Sequence, residues 1–262
     1  MNVNPGTGNT FSYSGAITNF TSTSVQSGSF NLSGSTTSTN LSISGGGTFN
    51  YTGAGTLGSN ITLNGGVLKS NGGNLTGTLT INSGTLGGTN LAGVALGIGA
   101  GVTLSPGNSP GTLASGSQTW AGGGSYLWEI NRLAVDGGTQ GADPGWDFAS
   151  IAGTLGITAN SGNKFTIALD SLGLLTSWDY TQHYLFIIAT ASGGITGFDP
   201  YGFLVDTGAF DDLHSLGGGS WAVIQDGNSI ELEFTPVPEP ATVGVGLALM
   251  AVASIRRRRS RA

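Results

Sequence analysis

The side chains that could carry out acid–base chemistry are concentrated in one stretch of this 262-residue chain. Thirteen carboxylates lie between Glu129 and Glu233, whereas residues 1–128 contain neither Asp nor Glu. Hydrolysis of a glycosidic bond usually requires two carboxylates about 5–9.5 Å apart. A site of that kind could therefore be built only within residues 129–233. Its candidate members are Glu129, Asp143, Asp147, Asp211 and Asp212.

The spacing of these candidates favours structural roles over catalysis. Asp143 and Asp147 flank a Pro-Gly pair in "ADPGWD", and aspartates at such turns commonly cap backbone N–H groups. Asp211 and Asp212 are adjacent, so their side chains would point in opposite directions on an extended chain. We therefore expect no catalytic residue and no enzymatic activity.

Metal chemistry also finds little support in the sequence. The chain has no cysteine, which excludes disulfides, thiolate metal sites and a cysteine nucleophile. His183 lies beside an apolar run and His214 in a Gly-rich segment, and neither has the spacing typical of zinc ligands. The acidic segment "DTGAFDDLH" is the best calcium candidate, but it matches no known calcium-loop pattern. We predict no metal site and no cofactor.

Tryptophan side chains offer one further kind of site, because their flat faces can stack on sugar rings. The aromatic side chains able to do so include Tyr126, Trp178, Tyr180 and Trp221, and the candidates for such stacking are Trp120, Trp128 and Trp146. The alternative is that they pack in the core, since each aromatic side chain can bury a large apolar area.

Composition indicates an all-β chain that must position these residues with many tight turns. Glycine occurs 48 times, more than twice its usual share of about 7%. Charged residues make up 8%, against roughly 25% in an ordinary soluble domain, yet 38% of residues are hydrophobic. Up to Thr235 there are three basic residues against the thirteen carboxylates, so nucleic acid is not expected as a partner.

Residues 1–118 contain a repeat of about 20 residues. "TLNGGVL" (62–68) and "TINSGTL" (80–86) are offset by 18, and each combines period-2 alternation with a Gly/Asn/Ser turn. Such a period is typical of a solenoid, and we predict a right-handed parallel β-helix with Ser, Thr and Asn ladders outside. The alternative is a loosely ordered low-complexity segment. The residues predicted to face the interior are Leu63, Val67, Leu68, Leu75, Leu79, Ile81 and Leu86.

Residues 119–235 have longer apolar runs and most of the charge, which predicts a β-rich cap or small sandwich. "KFTIALDSL" alternates as a half-buried strand does, and "HYLFIIAT" is nearly continuous, as in a strand buried on both faces. "WAVIQDGNSIELEF" predicts a hairpin that turns at Asp226-Gly227. In this hairpin Ile230, Leu232 and Phe234 should face the core, with the intervening residues facing solvent.

The last segment, 236–262, combines an apolar run with a basic end. Ala241 to Ile255 are fifteen residues without a charge, which as a helix would span about 22 Å. This is short for a roughly 30 Å hydrocarbon core, and suits a transient membrane stop. Basic residues favour the cytoplasmic side, which would leave residues 1–235 across the membrane. The basic residues are Arg256, Arg257, Arg258, Arg259 and Arg261.

Pro238-Glu239-Pro240, followed by the apolar run and the arginines, resembles a PEP-CTERM sorting signal. The resemblance covers about a tenth of the chain. It implies recognition and processing by an exosortase, a membrane transpeptidase-like enzyme of Gram-negative bacteria that make exopolysaccharide. It also implies that Pro238, Glu239 and Pro240 form the recognition motif, and that 241–255 anchors the chain only transiently.

A looser resemblance concerns the body of the chain. "LSPGNSPGTL" (104–113), "YLWEIN" (126–131) and "GWDFASIAGTLGI" (145–157) are similar to segments of autotransporter-like β-helix proteins that carry this signal. An exported protein should begin with a basic and then apolar signal peptide, which "MNVNPGTGNTFSYSG" lacks. We expect the natural start to lie upstream.

Together these features predict an exported, non-enzymatic structural protein. It would cross the inner membrane and remain at the cell surface or in the exopolysaccharide matrix, whose components would be its partners along with the exosortase. One alternative is a surface adhesin or polysaccharide-binding protein. A second is a β-helix enzyme that acts on polysaccharide, which would need two carboxylates converging in one groove.

Overall fold

The structure, a computed structural model, describes residues 1–18, 20–36 and 39–238. Pro238, the first residue of the proposed sorting motif, is the last residue that the structure describes. Glu239, Pro240, the apolar run 241–255 and the arginines from Arg256 to Arg261 lie outside the described residues. In the part that the structure describes, no helix has both the length and the apolar character needed to cross a membrane.

The described chain is all-β, as expected, with one four-residue α-helix, α1 (Gly208–Asp211), and two 3-10 helices, Ala134–Asp136 and Pro200–Gly202. The strands are β1 (Asn2–Val3), β2 (Thr10–Tyr13), β3 (Ser22–Val25), β4 (Ser29–Leu32), β5 (Asn40–Ser44), β6 (Thr48–Tyr51), β7 (Asn60–Ser70), β8 (Leu79–Gly88), β9 (Asn90–Leu91), β10 (Leu96–Ile98), β11 (Val102–Pro106), β12 (Thr112–Ser115), β13 (Gln118–Trp120), β14 (Ser125–Ile130), β15 (Thr139–Gln140), β16 (Gly145–Trp146), β17 (Phe148–Ile151), β18 (Leu155–Ile157), β19 (Phe165–Ser171), β20 (Tyr184–Ala191), β21 (Ile195–Thr196), β22 (Phe203–Asp206), β23 (Ser220–Asp226) and β24 (Ser229–Thr235).

Most strands pair in parallel with the strand that follows one repeat later. One sheet contains β8, β11, β14, β19 and β22, a second contains β9, β12, β17 and β20, and a third contains β10, β13, β18 and β21. From β8 onward the chain therefore visits the three sheets in the same order several times. The first sheet continues back through β7, β5, β3 and β1. Since β11 pairs with β14, this sheet is continuous across residue 118.

The repeated sequence segments lie side by side in this arrangement. Thr62 pairs with Thr80 and Leu68 with Leu86, so the 18-residue sequence offset is also the register offset between β7 and β8. Alternation along each strand sends one set of side chains into the core and the other outward.

Of the residues predicted to face the interior, Leu63, Leu68, Leu75 and Leu86 are buried, and Leu79 and Ile81 are partly buried against the core. Val67 was assigned to the wrong face. It pairs with Thr48 and Thr85 on the outer surface, because its neighbour Leu68 points inward and adjacent strand residues face opposite sides.

Glycine allows neighbouring repeats to approach closely at one corner of this stack. A Cβ atom on Gly34 would lie 1.9 Å from the carbonyl oxygen of Gly15, and one on Gly72 would lie 2.1 Å from that of Gly53. These four glycines recur every 19 residues, so a sterically demanded glycine column explains part of the unusual composition.

The predicted hairpin forms from β23 and β24, which pair antiparallel, and β24 also pairs antiparallel with β20. Ile230, Leu232 and Phe234 are fully buried, as predicted. Asp226 pairs with Ser229, so the two-residue turn is Gly227-Asn228, one residue later than expected. Glu231 was predicted to face solvent, but only 6% of it is exposed, because strands flank it on both sides.

An aromatic column allows the contribution of core packing to be measured at matched positions. Phe11 stacks on Phe30 with ring centroids 5.6 Å apart, and Phe30 packs on Phe49 at the same distance. Phe30 is fully buried, whereas Phe11 is 44% exposed. We expect Phe30→Ala to lower the free energy of unfolding by about 3–5 kcal/mol. The control Phe11→Ala should cost about 1 kcal/mol, in proportion to its smaller buried area. Urea denaturation measures both, and equal losses would contradict this packing.

Candidate functional site

The most unusual polar group in the described structure is the carboxylate of Asp147, which is fully buried between β16 and β17. Its Oδ1 accepts a hydrogen bond from the backbone N–H of Gly111 at 2.7 Å, and its Oδ2 accepts one from Glu129 at 3.1 Å. The Asp147 N–H donates to the Glu129 carbonyl at 2.9 Å, and the Trp128 indole N–H donates to the Asp147 carbonyl at 3.0 Å. Asp147 therefore ties three segments of the chain together.

A second carboxylate lies next to this one. Glu129 is 7% exposed and stands in register with Asp170 on β19, so three acidic residues are close together. Burial raises the pKa of Asp147 to about 8; the hydrogen bond from Gly111 opposes this shift, and the charge of Glu129 adds to it. Burial, assisted by Asp147, also raises the pKa of Tyr126.

Paired carboxylates with a displaced pKa are typical of glycosidase sites, so this arrangement must be weighed as catalytic. A catalytic acid has to reach substrate, however, and Asp147 exposes none of its surface. Both of its carboxylate oxygens already accept backbone hydrogen bonds. The geometry is that of a structural link in the core, whereas a hydrolase requires an open groove.

The other carboxylate of the "ADPGWD" turn has a different environment. Asp143 is exposed, and its Oδ1 accepts a hydrogen bond from Asn131 Nδ2 at 2.8 Å. The Asn131 side-chain oxygen in turn accepts from the Gly145 N–H at 2.8 Å. Of the two aspartates expected to cap backbone N–H groups, Asp147 does so, although the groups belong to distant segments, whereas Asp143 bonds the Asn131 side chain.

The remaining candidates do not join this pair. Asp211 ends α1, Asp212 follows it, and both are exposed. Among residues 1–18, 20–36 and 39–238 there is no cluster of three or more His, Asp or Glu side chains able to hold a metal ion. His183 forms an exposed pair with Glu233 at 2.8 Å.

His214 takes part in a buried contact that sequence reasoning missed. Its Nε2 lies 2.9 Å from Ser171 Oγ, and the Ser171 hydroxyl donates to the Gly173 carbonyl at 2.5 Å. Burial lowers the pKa of His214, which favours the neutral imidazole. The pair links the end of β19 to the segment after α1. It is closed to substrate, because both residues are only 4% exposed. No local pattern predicts it, since 43 residues separate the partners.

The three tryptophans considered for sugar stacking lie in the core. Trp120 and Trp128 are fully buried and Trp146 is 8% exposed. The Trp120 ring stacks on Phe165 at 5.0 Å, and Trp128 and Trp146 both pack against Phe186. None of them has a face open to a sugar ring, so the structure argues against stacking and favours the core-packing alternative.

A larger aromatic cluster surrounds Trp178, another of the aromatic residues able to stack on sugar, and no sequence pattern predicted this cluster. Trp178 stacks between Tyr184, at 4.7 Å, and Trp221, at 5.9 Å, and contacts the edges of Phe210 and Phe234. The cluster joins the loop after β19 to α1 and to the terminal hairpin. The cluster therefore packs together elements that long loops separate along the chain.

Comparison with known proteins does not assign a function to these features. No protein-family model matches the chain, and no curated protein shows significant sequence similarity to it. Function must therefore be argued from the residues themselves.

The buried Asp147 should make stability depend on pH. Its pKa is raised in the folded state above the value of about 4 expected in the unfolded chain, so the folded protein holds this proton more tightly. The stabilisation is complete below pH 4 and is lost as the pH rises towards 8, by an amount on the order of a few kcal/mol. Urea denaturation of the wild type at pH 5 and 8.5 measures this loss.

Two variants separate Asp147 from other titrating groups. Asp147→Asn cannot ionise, so the difference in stability between pH 5 and 8.5 should shrink; at pH 5 the variant should be less stable than the wild type, because one backbone hydrogen bond is lost. Asp143→Asn changes an exposed aspartate nearby and should leave the wild-type difference intact. Glu231, whose pKa is also raised by burial, contributes in all three proteins and cancels in the comparison. An unchanged pH difference in Asp147→Asn would show that this group does not govern the effect.

Proposed function

We propose that this chain is an exported, non-enzymatic structural protein of the cell surface or exopolysaccharide matrix, delivered by an exosortase. The observation that carries the proposal is the order of features at the C-terminus: Pro238-Glu239-Pro240, the uncharged run 241–255, and five arginines within 256–261. The apolar run acts as a transient membrane stop, with the arginines on the cytoplasmic side. Processing of the tail then leaves the folded body on the far side of the membrane.

For the body of the chain we infer a right-handed parallel β-helix. Its support is the repeated order in which the chain visits three mainly parallel sheets, with register offsets of 18 to 22 residues across β1, β3, β5, β7, β8 and β11. Parallel crossover connections are right-handed in nearly all known cases. The antiparallel hairpin β23–β24 then caps one sheet, which leaves fewer strand edges open to aggregation.

A structural role agrees with the outer surface of this body. Ser24, Ser42, Thr62 and Thr80 stand in register on four successive strands. Nearby, Asn82 donates to Asn64 at 2.7 Å. Such uncharged ladders offer hydrogen-bonding groups at regular spacing and no machinery for bond cleavage.

The same ladders favour polysaccharide binding as a second candidate function. Hydroxyl and amide groups can bind a neutral polysaccharide without charge, and this surface is exposed over several strands. The enzyme alternative has less support, because Glu129 and Asp147, the neighbouring carboxylates described above, are both buried. Retention of the purified chain on insoluble matrix polysaccharide, compared with a variant in which Thr62 and Thr80 become lysine, would favour the binding role.

The sorting proposal predicts that the two ends of the protein separate in cells. In a host that makes an exosortase, the chain is expressed behind a signal peptide, with one epitope tag between the exposed Ser161 and Gly162 and another after Ala262. The Ser161 site lies in a surface turn, so an insertion there should leave the strands intact. After fractionation we expect the internal tag at the surface or in the medium, and the C-terminal tag to be lost from it.

Matched proline variants test the recognition motif. Replacing Pro238-Glu239-Pro240 with three alanines should retain both tags together in the membrane fraction. Pro236→Ala, just before the motif, should be sorted as the wild type is. If both tags stay together in the wild type, or if the triple alanine variant is still processed, the sorting proposal is wrong.

A further inference from the structure

Exposed apolar side chains are concentrated where the described chain ends. Large apolar side chains rarely gather on the surface of a soluble protein unless they bind something. Six of the twelve exposed large apolar residues in the described structure belong to the loops around the C-terminal end. We call this set the exit patch: Val135, Leu172, Leu174, Tyr180, Leu213 and Val237. Leu174 and Val135 are the most exposed, at 75% and 77%.

Direct contacts hold the loops of the exit patch together. Ser177 donates to Asp136 at 2.6 Å, which brings the loop of Val135 to that of Leu174. The Ser171–His214 contact at 2.9 Å places Leu172 near Leu213.

The end of the described chain belongs to the same surface. The Tyr180 ring packs on Gly217, where an added Cβ would lie 2.1 Å from the ring. A Cβ on the next residue, Gly218, would lie 3.3 Å from Val237. The patch is therefore continuous with the point where the tail begins.

The length of chain between this point and the tail limits how far the patch can lie from a membrane. Val237 is four residues before Ala241, the first residue of the apolar run. Four fully extended residues reach at most about 14 Å. If 241–255 enters a bilayer, as the proposed function holds, the exit patch cannot lie far from its surface.

We propose that the exit patch rests in the interfacial layer of a zwitterionic phospholipid bilayer while the tail is inserted. The inference rests on the proposed function for the tail, and adds a second contact with the membrane. Apolar side chains gain free energy when they enter the interfacial layer, and tethering by the tail makes even a weak contact effective. The patch thus orients the folded body on the membrane before processing.

The charges around the exit patch decide which lipid it fits. Its loops carry Asp136, Asp179, Asp211 and Asp212, and the basic residue nearest along the chain is Arg132. An acidic rim of this kind is repelled by anionic headgroups, unlike the basic segments that usually bind membranes. We therefore expect anionic lipid to weaken the contact. The competing occupant is the chain's own tail, whose arginines could bind the same aspartates.

Because the chain lacks cysteine, single-cysteine variants can report the depth of chosen residues. The full chain is inserted into phosphatidylcholine nanodiscs that contain spin-labelled lipids, with a shallow quencher for the patch and its control and a quencher deep in the acyl chain for the tail. One variant carries an environment-sensitive fluorophore at Leu174→Cys in the patch, and a second carries it at Ala248→Cys in the tail.

The matched control is Tyr201→Cys, which is equally exposed at 74%. Tyr201 precedes the strand β22, whose first residue pairs with Phe165, whereas the patch begins after Ser171. Phe165 and Ser171 are six residues apart along β19, so the control lies about 20 Å from the start of the patch.

We expect strong quenching at Ala248→Cys. Quenching at Leu174→Cys should exceed that of the Tyr201→Cys control about twofold or more. When phosphatidylglycerol is added, quenching at Leu174→Cys should become weaker. Adding Leu172→Ser and Leu213→Ser should reduce the quenching at Leu174→Cys and leave that at Ala248→Cys unchanged.

If the tail probe is quenched but Leu174→Cys is quenched no more than the control, the patch inference is overturned and the insertion of the tail still stands. No quenching at Ala248→Cys would overturn the proposed membrane stop itself. A blue-shifted Leu174→Cys probe without lipid would show that the tail covers the patch, which also overturns the inference.

Discussion

The structure depends above all on the in-register stacking of parallel strands. Neighbouring strands lie about 4.8 Å apart, so each side chain faces its counterpart in the preceding and following repeats at that distance. Two like charges 4.8 Å apart repel by about 1 kcal/mol in water and about 3.5 kcal/mol at an effective dielectric constant of 20. A ladder of several such pairs would cost more free energy than a whole domain can supply. Neutral hydroxyl and amide ladders avoid that cost, which explains why Lys69 is the only charged side chain in the first 128 residues.

The acidic residues occur where this simple stacking is interrupted. Between β14 and β19 the register offset is 41 residues, twice that of the earlier repeats, because loops are inserted between the strands. Glu129 and Asp170 stand in register there, and the chain returns at Asp147, whose carboxylate accepts a hydrogen bond from the Glu129 backbone N–H. The raised pKa of Asp147 favours its neutral form beside Glu129, and its oxygens accept hydrogen bonds from two backbone N–H groups. Charge is therefore tolerated where it can be neutralised or reach solvent.

The sequence was informative wherever structure follows from local repetition. The 18-residue offset predicted the pairing of Thr62 with Thr80, and the alternation in "SIELEF" predicted the buried face of the final strand. The assignment of Val67 failed because two adjacent apolar residues leave the phase of alternation ambiguous, and only the pairing of Leu68 with Leu86 resolves it. The hairpin turn was misplaced by one residue for a similar reason, since both Asp-Gly and Gly-Asn form such turns.

Features that depend on contacts between distant residues could not be found in this way. The Ser171–His214 contact and the aromatic cluster around Trp178 join loops that have no common sequence pattern. The burial of Trp120 and Trp128 follows from their positions on strands, where alternation sends them inward, whereas their amino-acid type alone left both core packing and sugar stacking open. The role of Asp147 required the position of Gly111, which lies 36 residues earlier.

The chemical contrast between the two ends of the chain connects the fold to its proposed role. The stacked repeats offer a nearly uncharged, regular surface of hydroxyl and amide groups, which suits the matrix role proposed above. The loops that precede the tail are acidic and carry exposed apolar side chains, which the repeats could not accommodate without breaking their ladders. In the proposed sorting route these loops are the part of the folded body nearest to the membrane. Interruption of the ladder is thus the physical condition that allows a distinct contact surface to form beside the tail.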